Sequence, residues 1–108
     1  AAARAAITRQ LPDADVSTLL LDTSNLGSVR AAAATVRGRA GLHGLLLNAG
    51  IVHPPRHRET TPDGHEVVFA TNALGHYALA GELLLPLAAG LLVFLGSHET
   101  KTEFVEAK

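Results

Sequence analysis

The sequence predicts an α/β protein: a parallel sheet whose strands are joined by helices packed on its faces. Three observations carry this. The runs Val16–Leu21, Leu42–Leu47 and Leu91–Leu95 are short and largely apolar, as strands buried on both faces are. The segments between them are longer and repeat their apolar residues at helical spacing. The resulting order of helix, strand, helix, strand, helix, strand is that of right-handed crossover units.

Ala1–Gln10 reads as the end of a helix, and Leu11-Pro12-Asp13-Ala14-Asp15 as a turn punctuated by proline and acidic residues. After the first strand, Thr23, Ser24 or Asn25 can cap a helix whose Leu26, Val29, Ala33 and Val36 form an apolar stripe. Arg30, Arg37 and Arg39 fall off that stripe, and Gly41 marks the stop. The second strand ends in Asn48-Ala49-Gly50. A loop, Ile51–Thr60, holds Pro54-Pro55 and the cluster His53, Arg56, His57 and Arg58.

Thr61-Pro62-Asp63 reads as a helix start, with threonine as cap and proline in the first turn, and the helix is expected to reach about Leu87. Val67, Thr71, Leu74, Ala78, Gly81 and Leu85 mark one face; Phe69, Ala73, Tyr77, Ala80 and Leu84 mark another. A helix apolar nearly all round needs burial on two sides. The third strand, Leu91–Leu95, is followed by a polar tail, residues 98–108, with no clear packing pattern.

The 108 residues suffice for one small domain, and a hydrophobic share of 47% argues against disorder. Nine basic and ten acidic residues give a net charge of −1. Without a strong field, neither nucleic acid nor an anionic membrane is an implied partner. The lack of cysteine excludes disulfide and thiolate chemistry and fits a cytoplasmic setting. No signal peptide is visible, and Pro86 and Gly90 interrupt the longest apolar stretch, so no membrane segment is expected. Methionine is absent even at position 1, which reads as a missing natural start, with processing as the alternative. Among the six histidines, His53 and His57 are four apart, but Pro54-Pro55 denies them a shared helical face. His76 reads as helix packing, so no metal site is expected.

The segments LLLDTSNLGSVR, LHGLLLNAGIV, TTPDGHEVVFATNALGHYALAGELLLPL and LLVFLGS, in this order and spacing, resemble the short-chain dehydrogenases/reductases. The stretch with Asp63-Gly64, Glu66, Phe69, Thr71-Asn72, Leu74-Gly75-His76 and Leu84-Leu85-Pro86 is most similar to the retinol-dehydrogenase-like branch. The resemblance covers roughly residues 1–97. It implies a partial Rossmann-type, doubly wound parallel sheet flanked by helices over 1–97, with NAD or NADP bound in the complete parent. It also implies a small-molecule carbonyl or alcohol substrate, and homo-oligomers formed through the helix 63–87.

Residue roles follow from the resemblance. Asp22 matches the acidic residue closing the third strand, whose carboxylate meets the adenine edge; a helix-capping aspartate is the structural alternative. Asn48-Ala49-Gly50 matches the motif after the fourth strand, where backbone approaches the cofactor, with Leu47 in place of a first asparagine. A tight turn needing glycine explains the same residues. Asn72 matches the helix asparagine that supports a proton relay; the alternative is a plain polar bond to a neighbouring strand. Ser97 matches the serine closing the fifth strand, which orients the substrate carbonyl, and is otherwise an ordinary loop residue.

Two features of the family pattern are missing. No glycine-rich turn precedes the first strand, and no Tyr-x-x-x-Lys pair follows Ser97. The one tyrosine, Tyr77, has Gly81 at the lysine spacing. The three strands correspond to the third, fourth and fifth of a sheet ordered 3-2-1-4-5-6. Two strands are then missing between the first pair, leaving a gap of about 14 Å to be closed or left open. The sequence thus points to a fragment of a nicotinamide-dependent oxidoreductase, inactive as this chain. A non-catalytic homologue that associates with other subunits is the alternative, and an unrelated flavodoxin-type module is a weaker third.

Overall fold

The computed structural model describes residues 2–39, 41–52, 58–84, 87, 91–95 and 102–106. The elements are α1 (Ala2–Gln10), α2 (Leu26–Arg37), β1 (Gly44–Leu47), α3 (Val67–Phe69), a π-helical turn (Ala70–Leu74), α4 (Gly75–Glu82), β2 (Leu91–Leu95) and β3 (Thr102–Glu106). The chain is a mixed α and β structure with little strand. No helix among the described residues is long and apolar enough to cross a membrane.

Helix α2 forms where its apolar stripe was expected: Val29, Ala32 and Ala33 are buried. Its four leading N–H groups are all accounted for. Asn25 Oδ1 accepts from Gly27 N (2.9 Å) and Ser28 N (3.3 Å), and Asn25 O accepts from Val29 N (3.0 Å). The first, Leu26 N, donates to Asp63 Oδ2 at 3.0 Å, from far along the chain. Of the three candidate caps, Asn25 is the one used, because its β-region backbone turns its side chain onto the free donors.

The helix expected from Thr61 to about Leu87 is shorter and built differently. Thr61–Gly64 is a turn, closed by Gly64 N donating to Thr61 O (2.9 Å) and Thr61 N to His65 O (2.7 Å). Gly64 has φ +87, a conformation that ends any helical path and that glycine adopts without strain. The cap is Glu66, not Thr61: its carboxylate accepts from Val68 N (3.0 Å) and Phe69 N (2.6 Å). Regular helix ends at Glu82, and Leu87 N bonds Leu83 O beyond it.

Strands β1 and β2 pair in parallel, Gly44 opposite Leu91 through Leu47 opposite Phe94. Two further expectations are corrected. Val16–Leu21 is not a strand; it finds no ladder partner among the described residues, and Leu20 stands 94% exposed. Leu21 alone of that run packs against the core. The supposed polar tail contains β3, antiparallel to β2 with Leu95 opposite Thr102 and Leu91 opposite Glu106. The sheet is therefore mixed, ordered β1-β2-β3, and not purely parallel. An unpaired outer edge of β2 would leave a row of free backbone groups, and β3 satisfies it.

The core is Val29 and Ala33 from α2, Leu47 from β1, and Leu79 and Leu83 from α4 and its end. Helices α2 and α4 come close at Gly75, against the turn before α2. A Cβ there would lie 2.0 Å from Thr23 O, so only glycine permits this approach. At the other end of the pair, Arg37 Nη1 meets Glu82 Oε2 at 2.7 Å and also donates to Glu82 O.

Candidate functional site

Asp22 sits in the turn between segment 16–21 and α2. Its Oδ1 accepts from Ser24 N (2.9 Å) and Ser24 Oγ (2.6 Å), and its own N–H donates to Ser28 Oγ (2.9 Å). This is a short side-chain-to-backbone turn. Asp22 does not cap α2, since Asn25 and Asp63 take that role. The residue is exposed, and Oδ2 makes no hydrogen bond among the described residues.

Asn48, Ala49 and Gly50 follow the carboxyl end of β1 and are all exposed, so a ligand can reach their backbone. Asn72 lies in the π-helical turn and reaches the residue just after them. Ile51 N donates to Asn72 Oδ1 at 2.8 Å, and Asn72 Nδ2 donates to Ile51 O at 2.9 Å. The amide copies one rung of a β-ladder and uses one donor and one acceptor on each side. The sequence alternative for Asn72 was a polar bond to a neighbouring strand; the bond found is to Ile51, in the loop after β1. A π-turn holds one residue more than an α-turn and is frequent at functional positions.

The structure thus brings Asn72 to the loop that begins at Asn48-Ala49-Gly50. Asp22 is linked to neither by a hydrogen bond among the described residues. Ser97 lies outside the described residues, as do His53, Arg56 and His57. Among the described residues no group of three His, Cys, Asp or Glu could hold a metal.

His76 is buried at 1% exposure, and burial holds its pKa below the usual histidine range. It faces the interior with Ala70, Gly75, Leu79 and Leu83. This buried stripe is a third face of the helix, distinct from the two marked in the sequence. Phe69, Tyr77 and Leu84 on the second face are 56%, 79% and 58% exposed. An open groove of about 360 Å³ between α2 and α4 is lined by Leu26, Arg30, Leu74, Tyr77, Ala78, Gly81 and Glu82. It shares no residue with the candidate site.

Sequence reasoning missed Asp63 and Gly75. Asp63 acts on a residue 37 positions away, and Gly75 on Thr23; neither spacing has a local signature.

No protein-family model matches the chain. Individual proteins do. The chain is 40% identical over 79 residues to the short-chain dehydrogenase/reductase drtF of Aspergillus calidoustus, covering 72% of this chain and 24% of that protein. It is 46% identical over 69 residues to an uncharacterized oxidoreductase of Schizosaccharomyces pombe, covering 63% and 20%. A probable oxidoreductase of Streptomyces lividans is 47% identical over 60 residues, covering 56% and 19%. The chain therefore spans a quarter or less of the length of these relatives, and its similarity to short-chain dehydrogenases/reductases is partial.

Proposed function

We propose that the chain is a portion of an NAD(P)-dependent short-chain dehydrogenase/reductase, carrying the adenosine side of the cofactor site and part of the active-site support. The observation that carries this is the Asn72 clamp. Two motifs that the resemblance assigns to one site, Asn48-Ala49-Gly50 and Asn72, meet through Ile51 at the carboxyl end of β1. Ligands bind at the carboxyl ends of strands in open α/β sheets. The parallel neighbours β1 and β2 agree with the fourth and fifth strands of such a sheet.

The residues fit a dinucleotide on its adenosine side. Asp22 Oδ2, with no hydrogen bond among the described residues, can accept from the adenine amino group. The exposed backbone at Asn48–Gly50 admits a ribose. The nicotinamide, when bound, supplies the hydride that passes to or from a carbonyl carbon. Asn72 holds the loop after Gly50 in place, and Ser97 orients the substrate oxygen. Since the Asn72 side chain is already bonded to Ile51, a relay at this position would draw on the main chain of the π-turn.

Titration of the full chain with NAD or AMP, followed by amide NMR, tests this. We expect shifts at Asp22–Ser24 and Asn48–Gly50 with a dissociation constant of roughly millimolar, or about −4 kcal/mol. No response at those residues up to several times that concentration would remove the proposal. Micromolar binding would show that the phosphate contacts have been misplaced.

A second reading, a non-catalytic homologue acting through association, is favoured by the exposed Phe69, Tyr77 and Leu84. Its test belongs with the whole molecule below.

A further inference from the structure

The turn that carries Asp22 is gripped from outside at two points. On one side, Asp63 Oδ2 accepts from Leu26 N at 3.0 Å. Leu26 opens α2, and Ser28, in the same first turn, accepts the Asp22 N–H on its Oγ at 2.9 Å. A short path of bonds thus runs from Asp63 through the first turn of α2 to Asp22. On the other side, buried Thr23 rests against Gly75, where the helix leaves no room for a Cβ. Asp63 and Gly75 lie on either side of the segment that carries Asn72.

The charge is well placed. A carboxylate at the start of a 12-residue helix interacts favourably with the helix dipole and with a donor that would otherwise lack an intrahelical partner. The other leading donors of α2 are taken by Asn25, so Leu26 N is the one that needs a partner from elsewhere. Asp63 is at the tip of the turn closed by Gly64; Thr61 bonds His65 within that turn, and the adjoining Glu66 and Glu59 bond the backbone of α3.

We propose that Asp63 is a positioning residue: it fixes the first turn of α2 so that the Asp22 carboxylate is presented to an adenine amino group, and so links the adenosine contact to the segment bearing Asn72. The presentation to adenine rests on the proposed cofactor reading; the hold on Asp22 does not.

The test uses the full chain, labelled for NMR, as wild type, Asp63→Ala and Asp63→Asn. Ser24 N–H is the reporter, because it donates to Asp22 Oδ1. Asp63→Ala should reduce the hydrogen-exchange protection of Ser24 about tenfold, the size of a lost helix cap, and weaken AMP binding severalfold at unchanged far-ultraviolet circular dichroism. Asp63→Asn, which keeps an acceptor oxygen, should restore both. If Asp63→Ala unfolds, Asp63→Ser, too short to reach Leu26, takes its place with the same readout. Loss of protection confined to Leu26, with Ser24 and the Asp22 carboxyl signal as in wild type, overturns the proposal. A wild-type chain that ignores AMP while Ser24 still responds to Asp63→Ala overturns the cofactor reading alone.

Discussion

Gly75 and His76 are adjacent, both buried, and constrained by different forces. At Gly75 the constraint is steric. A methyl group would meet backbone, Thr23 O at 2.0 Å and Thr23 C at 2.8 Å, and backbone cannot swing aside as a flexible side chain can. Gly75→Ala should therefore destabilise the chain by about 2 kcal/mol or more, at the upper part of the range for overpacking. A urea midpoint unchanged by the substitution would contradict the close approach. At His76 the constraint is electrostatic: burial disfavours the imidazolium and lowers the pKa from 6.5. The unfolded chain then binds the proton more readily than the folded one. Stability should be constant above about pH 7 and fall as pH drops through 6.5, levelling off below the folded-state pKa. Urea midpoints between pH 8 and pH 5 check this, and His76→Gln should flatten the curve in that interval.

Among the elements, two polar ties have similar lengths and different worth. The Asn72 amide makes two hydrogen bonds to the Ile51 backbone and is half-buried. Asn72→Ala leaves a backbone donor and acceptor to find water and should cost about 1–3 kcal/mol, with faster exchange at Ile51 N–H. Arg37 and Glu82 are close, but their side chains are 41% and 39% exposed. Solvent screens such a pair, and Glu82→Gln should change stability by less than about 1 kcal/mol. Denaturation of the two variants under one set of conditions would rank them; the reverse order would show that the exposed bridge is worth more than its surroundings suggest.

The same contrast explains what the sequence could disclose. Helix α2, the Thr23–Asn25 segment that caps it, β1 and β2 were legible because each rests on a local period or a few favoured residue types. The start of the next helix was misread because Thr61-Pro62 mimics a cap and first turn, while Gly64 at φ +87 redirects the chain and Glu66 takes the donors. Val16–Leu21 has the composition of a strand, but a strand also needs a neighbour, and composition does not carry one. Strand β3 was invisible for the converse reason: a polar segment was drawn into the sheet by the open edge of β2. At the site, the family resemblance pointed to Asp22, Asn48–Gly50, Asn72 and Ser97, while the distant ties from Asp63 and Gly75 became visible only in three dimensions.

On the scale of the whole molecule, the chain has neither a Tyr-x-x-x-Lys pair after Ser97 nor another tyrosine to replace it. A hydride transfer without a positioned acid or base loses a factor of about 10²–10⁴, and the 108-residue chain should show no turnover of carbonyl or alcohol substrates with either nicotinamide cofactor. Turnover that survives purification and disappears in Ser97→Ala would overturn this. Phe69, Tyr77 and Leu84 leave an apolar strip open on one face. We expect association at micromolar concentration, visible in sedimentation and reduced by Tyr77→Glu; a monomer indifferent to that change would reject the second reading.

The parallel pairing of β1 with β2 sets residue 44 against residue 91. During synthesis, β1 emerges well ahead of the strand that completes it, and at about 5–20 residues per second the wait lasts a few seconds. Closing so long a loop costs entropy before any rung of the ladder forms, and pairings of this range are the slow steps in folding. Helix α2 can form early and shield one side of β1 through Val29 and Ala33. The strand's own backbone donors have no such cover, so until β2 arrives β1 is an open edge on which another chain can pair.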